Sequence, residues 1–128
     1  MRCLLDTCTF LWIVAGAKDL SPTASQIFAN PANEMFLSAV SAWELSVKHA
    51  LGKLPLPGTL DRFVAEERKR HGIATLTLNE RAVFHLHKLP RLHRDPFDRM
   101  LICQAIEHDC VLLTPDPLIV QYPVRTRW

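Results

Sequence analysis

No hydrophobic run in this chain approaches the roughly 20 residues needed to cross a bilayer as a helix. There is no Cys-x-x-Cys pair and no zinc-ligand spacing, because Cys3, Cys8, Cys103 and Cys110 are scattered. Three of the four lie in apolar runs and read as small core residues. No internal repeat or low-complexity tract breaks the sequence. The opening Met1-Arg2-Cys3-Leu4-Leu5-Asp6 meets an acid too early for a secretory signal, so a cytoplasmic location without disulfides is expected. Net charge is only +2. That balance is compatible with a nucleic-acid partner but does not demand one.

A length of 128 residues with an apolar fraction of 48% suits one compact domain, spanning residues 1–128. Short apolar runs at Cys3–Leu5, Met35–Ser38, Ile73–Leu76 and Cys110–Thr114 read as buried strands, with a last extended piece from Val124 to Trp128. Helical patterns fall between them: Thr9–Ala15 stopping near Gly16, a Ser21-Pro22 start running to Asn30-Pro31, and Ala39–Leu51 closed by Gly52. Leu60–Arg70 is amphipathic, with Leu60, Phe63 and Val64 inward and the run Glu66–Arg70 expected on a solvated face. Thr77 or Asn79 is expected to cap a further helix through Ala82, Val83, Leu86 and Leu89 to Pro90. Alternating strands and helices predict an α/β fold with a mainly parallel sheet and right-handed crossovers.

The stretch His93-Arg94-Asp95-Pro96-Phe97-Asp98-Arg99 reads as a helix start, with Asp95 as N-cap and Pro96 in the first turn. Asp98 then shares a face with Leu101, Ile102 and Ala105. An acid heading an apolar stripe points inward, where an unpaired charge is costly.

Three more acids lie where a parallel sheet binds ligands, beyond the carboxyl ends of its strands. Asp6 follows the first strand, Glu44 sits early in the helix after the second, and Asp116 follows the strongest strand. Each has a local alternative. Asp6 and Asp116 could cap helices, while Glu44 could form a capping box with Ser41 or pair with Lys48. Four independent caps on one edge is a less economical account than one acidic pocket. Clustered carboxylates repel unless a cation neutralises them, and an oxygen donor set without a His or Cys ligand pattern favours Mg²⁺ or Mn²⁺. Such a site suits hydrolysis of phosphodiesters. Lys48, Lys53, Arg94 and Arg99 are close enough in sequence to the acids to be candidate phosphate contacts.

These residues resemble the PIN domain, and more narrowly the VapC ribonuclease toxins of type II toxin–antitoxin pairs. The matching pieces are Leu4-Leu5-Asp6-Thr7 with Phe10-Leu11-Trp12, Ser41-Ala42-Trp43-Glu44-Leu45, Asp95-Pro96-Phe97-Asp98-Arg99, and Leu113-Thr114 with Asp116. They keep the family's order along essentially the whole chain. The resemblance implies a three-layer α/β/α sandwich around a mainly parallel central sheet and a Mg²⁺- or Mn²⁺-dependent endoribonuclease acting on structured RNA such as tRNA or rRNA. Asp6, Glu44, Asp98 and Asp116 match its acidic quartet, Thr114 the hydroxyl accompanying the last acid, and Thr7 the small polar residue after the first. Asp95 lies outside the quartet, as a cap with an outer role. The resemblance also implies a homodimer and a VapB-like antitoxin that blocks the site and carries the complex to operator DNA.

Three other readings fit parts of the pattern. A receiver-like phosphoacceptor would want an adjacent acidic pair at the first strand and a lysine after a late one. A phosphatase of the haloacid dehalogenase type fails because Cys8 stands where its second acid belongs. A PIN-like scaffold without activity, serving only to bind, has no need of four clustered acids.

Overall fold

The computed structural model describes residues 1–16 and 18–128. Its centre is a five-stranded sheet of β1 (Arg2–Leu5), β2 (Glu34–Ser38), β3 (Ile73–Leu76), β4 (Val111–Leu113) and β5 (Thr126–Arg127), ordered β3-β2-β1-β4-β5. Every pairing is parallel, with Leu4 opposite Phe36 on one side and Leu112 on the other. The helices among the described residues are α1 (Thr7–Ala15), α2 (Pro22–Ala29), α3 (Ala39–Ala50), α4 (Leu60–His71), α5 (Glu80–Val83), α6 (Pro96–Glu107) and α7 (Pro117–Val120).

Side chains alternate across a strand, and here both faces are buried. Leu4, Phe36 and Leu112 enter one core with Leu101, Ile102, Ala105 and Tyr122. Cys3, Leu5, Met35, Leu37 and Leu113 enter the other with Phe10, Ile13, Leu45 and Val64. Two cores on opposite faces of one sheet give the expected three layers. Cys3, Cys103 and Cys110 are buried and Cys8 is exposed; all four are free thiols.

Three local expectations are corrected. The helix foreseen from Asn79 to Pro90 is a single turn, α5, capped by Asn79 and followed by a 3₁₀ turn at Leu86–Lys88. The tighter turn keeps Leu86 and Leu89 on one face just before Pro90 stops it. The run Glu66–Arg70 is not wholly solvated: Glu67 is buried, and Arg68 donates to the Leu37 carbonyl at 2.9 Å. Glu67 stands three and four residues beyond Val64 and Phe63, so helical geometry turns it inward, where Arg70 and His71 flank it. The capping box at Ser41 does not form. Ser38 caps α3, and Ser41 is buried within the helix, accepting from the Thr7 hydroxyl at 2.9 Å.

Candidate functional site

The strand order defines where a site belongs. The chain builds outward from β1 through β2 to β3, then places β4 on the other side of β1. That reversal opens a crevice at the carboxyl ends of β1 and β4. The register pairs Leu5 with Leu113, so Asp6 emerges beside Thr114.

Asp6 divides its two oxygens. Oδ1 accepts from the Thr9 backbone N–H at 2.7 Å and caps α1, while Oδ2 accepts from the Thr114 hydroxyl. Burial raises its pKa against the opposing effect of those hydrogen bonds. Asp116 divides in the same way: Oδ1 caps α7 through Leu118 N–H at 2.9 Å, and Oδ2 faces the imidazole of His93 at 3.2 Å. Capping and clustering are therefore compatible roles for these two acids, carried by different oxygens.

Asp98 stands in the first turn of α6, positioned by the capped start. One Asp95 oxygen accepts from both Phe97 N–H at 2.8 Å and Asp98 N–H at 3.2 Å. Burial, followed by the negative charges of Asp95 and Glu44, pushes the Asp98 carboxyl up to about 7, against the pull of His93. Glu44 comes from α3. Its Oε2 pairs with Lys48 Nζ at 2.8 Å, and its buried Oε1 has no hydrogen-bond partner. Trp43 and Phe97, the residues preceding Glu44 and Asp98 respectively, meet edge to face with ring centroids 4.7 Å apart. That contact ties α3 to α6 beside the acids.

His93 belongs to this cluster and was not anticipated. Its Nε2 lies 3.0 Å from Asp98 Oδ2 and 3.2 Å from Asp116 Oδ2. Its Nδ1 accepts from the Asp95 backbone N–H at 3.1 Å, which assigns the proton to Nε2 and makes the ring a donor to both acids. The pocket thus holds an imidazole beside its carboxylates. His93 precedes Asp98 by five positions, a spacing that matches no helical ligand pair. The loop is held instead by the buried Tyr122, whose hydroxyl accepts from His93 N–H at 2.7 Å and Leu92 N–H at 3.2 Å.

Among the four proposed phosphate contacts, Lys48 reaches the acids through Glu44. Lys53 and Arg94 are exposed, and Arg99 turns towards the Leu86 carbonyl at 3.5 Å. Thr7 joins α1 to α3 through Ser41, and Thr114 joins Asp6 to the start of the β4 exit, accepting from Asp116 N–H at 3.1 Å.

The donor set fits a hard cation. It offers carboxylate oxygens from separate elements, a buried carboxylate oxygen at Glu44 with no partner, and atoms of His93, Asp98 and Asp116 all within 4.8 Å of one another. The class of molecule is thus a doubly covered parallel α/β protein with acids gathered at its switch point.

Comparison with known proteins narrows that class. The PIN domain family model matches residues 3–123, and the chain belongs to this family. Ribonuclease VapC16 of Mycobacterium tuberculosis (strain ATCC 25618 / H37Rv) is 36% identical over 53 residues, a stretch covering 41% of this chain and 38% of that relative. The fold is similar to a chain of the VapBC2 structure from Rickettsia felis bound to a DNA fragment from their promoter, with TM-score 0.72, 14% identity and 99% and 98% of the two chains covered. It is also similar to a chain of VapBC-1 from nontypeable Haemophilus influenzae, with TM-score 0.65, 18% identity and coverage of 99% and 97%. No helix among the described residues is long and apolar enough to cross a membrane.

Proposed function

We propose that this chain is a divalent-metal-dependent endoribonuclease and the toxin of a VapBC-type pair. The observation that carries the reading is the cluster of His93, Asp98 and Asp116, whose ligand atoms lie within 4.8 Å of one another, with the charges of Glu44 and Asp6 acting on Asp98 and a buried oxygen of Glu44 left without a hydrogen-bond partner. Its support from relatives is the family match, the partial identity to a VapC ribonuclease, and a fold shared with VapBC complexes.

Asp6, Glu44, Asp98 and Asp116 would hold Mg²⁺ or Mn²⁺. When bound, the ion supplies charge neutralisation at a phosphodiester and lowers the pKa of a coordinated water. The chain's own residues do the rest. Thr114 and the α1 amide of Thr9 fix the direction of Asp6, Asp95 fixes that of Asp98, and Lys48 balances Glu44 at the rim. Hydrolysis would leave a 5′-phosphate and a 3′-hydroxyl. We take structured RNA, tRNA or rRNA, as substrate, a homodimer as the working form, and a VapB-like antitoxin as inhibitor. Operator DNA would be reached only through that antitoxin.

The test is cleavage of cellular RNA by purified protein with Mg²⁺ or Mn²⁺, and by Asp6→Ala prepared identically. Loss of cleavage in the variant supports the reading. Equal rates and cleavage patterns in both would assign the activity to a contaminant.

A further inference from the structure

A concavity whose lining contains none of the clustered acids is opposite to them in character. It has a volume of about 440 Å³ and is lined by Phe84, Leu86, His87, Leu89, Arg91 and Arg99, together with Val83. That volume falls within the range of about 300–1,000 Å³ usual for small-ligand pockets. Its lining carries two arginines and a histidine and no acid. Neither arginine is in an ion pair among the described residues. Arg99 makes one long hydrogen bond, to the Leu86 carbonyl at 3.5 Å, and its buried Nε has no partner. Phe84 is 60% exposed, a large apolar ring left in water at the mouth of a cationic cavity.

The cavity and the acids share two segments of chain. Arg91 stands two residues before His93, and Arg99 directly follows Asp98. Consecutive residues of α6 point about 100° apart, so Asp98 and Arg99 serve neighbouring faces of one helix turn. The segment 89–93 likewise runs from the cavity wall at Leu89 and Arg91 to the acidic cluster at His93.

We propose that this cavity is a subsite for one nucleotide of single-stranded RNA flanking the position of cleavage. Arg91 and Arg99 take its phosphate, and Phe84 supplies the face on which its base stacks. The inference rests on the ribonuclease reading and deepens it. Guanidinium groups suit phosphate through paired donors, and base–aromatic stacking tolerates any base. An acid-free lining favours a polyanion, and the two chain segments shared with the acidic cluster favour the polyanion those acids would cut. Strand continuity then places a cationic, aromatic platform beside an acidic centre, each holding a different phosphate of the same RNA.

The experiment measures binding of a labelled single-stranded RNA oligonucleotide to the full chain by fluorescence anisotropy in EDTA, across a salt series. Arg91→Glu is expected to weaken binding roughly tenfold or more at low salt and to flatten the slope of log K against log salt by about one. Phe84→Ala is expected to weaken it roughly fivefold or more with the salt slope unchanged. Both residues are exposed, and circular dichroism of each variant verifies folding. Lys69→Glu, on the exposed face of α4, carries the same charge change as Arg91→Glu and is expected to bind as wild type. If Arg91→Glu and Phe84→Ala bind no differently from Lys69→Glu, the subsite is overturned. It is also overturned if both keep wild-type RNA affinity but lose affinity for an acidic peptide, since the cavity would then belong to a protein partner. Failure of the ribonuclease reading is a separate result: wild type binds the oligonucleotide but leaves cellular RNA intact when Mg²⁺ or Mn²⁺ is added.

Discussion

The Nε2–H of His93 donates to the Asp98 carboxylate across 3.0 Å, and the same nitrogen lies 3.2 Å from Asp116. One proton thus bridges two acids from different elements. A ligand role for this nitrogen would require its proton to move to Nδ1, where the Asp95 N–H already donates. His93 is therefore a placeholder between acids rather than a ready-made ligand. Removing it by His93→Ala should leave two partly buried carboxylates uncompensated and cost about 1–3 kcal/mol of stability without metal. Mn²⁺ should raise the melting temperature of His93→Ala more than that of wild type, and His93→Gln should behave closer to wild type. Equal metal-induced shifts in all three proteins would sink the placeholder role.

Asp98 makes the stability of the metal-free protein depend on pH. Its carboxyl titrates at about 7 in the folded chain, above the ordinary value, so folding favours the neutral form. The associated stability is fully present below about pH 4 and is lost as pH rises through about 7. Asp98→Asn, which mimics the neutral acid, should therefore raise the melting temperature by several degrees at pH 8 in EDTA and by much less at pH 4. A gain of the same size at both values would show that Asp98 carries no such penalty.

The same proton competes with a cation. Binding of Mn²⁺ should displace it, so affinity should fall about tenfold per pH unit below 7 and level off above it. Isothermal titration in buffers of different ionisation enthalpy would count the protons released. A release near zero at pH 6 would remove Asp98 from the ligand set.

Much of this arrangement was readable from residue order, because strand ends and helix starts are local properties. Asp6, Asp95 and Asp116 announce themselves as caps, and Pro96 and Pro117 fix the turns that follow. Capping and metal ligation are not exclusive roles for an acid. A carboxylate has two oxygens, and Asp6 and Asp116 each commit only one to the helix. Glu67 was within reach of the pattern, since it continues the stripe of Phe63 and Val64; its place in a run of charges concealed it. His93 was not within reach. Its position depends on a loop held by a tyrosine 29 residues away, and no spacing rule encodes that contact.

The aromatic pair at the rim should matter to the site through position rather than contact. Trp43 is 57% exposed, so little burial is lost in Trp43→Ala. Its edge-to-face contact with Phe97 at 4.7 Å joins the helices that present Glu44 and Asp98, and such a contact is worth roughly 0.5–1.5 kcal/mol. The variant should lose about that much stability and show weaker Mn²⁺ binding, whereas Trp43→Phe should retain both. Unchanged metal affinity in Trp43→Ala would confine the pair to a packing role.

Tyr122 offers the cleanest separation of packing from positioning. Its ring is buried in the core with Leu112 and Ile119, while its hydroxyl accepts the backbone N–H groups of Leu92 and His93. Tyr122→Phe keeps the ring and deletes only that acceptor, leaving two part-buried N–H groups without their partner. The cost should be about 1–3 kcal/mol. It should fall on one loop: amide exchange at Leu92 and His93 should accelerate, while exchange in β1 and β4 changes no more than global stability requires. With the loop released, His93 should hold Asp98 and Asp116 less firmly, and the Mn²⁺-induced rise in melting temperature should move towards that of His93→Ala. In the double variant Tyr122→Phe/His93→Ala, the effects on that metal-induced rise should be less than additive, since both act on the same bridge. Strict additivity would mean that Tyr122 supports the fold without positioning His93.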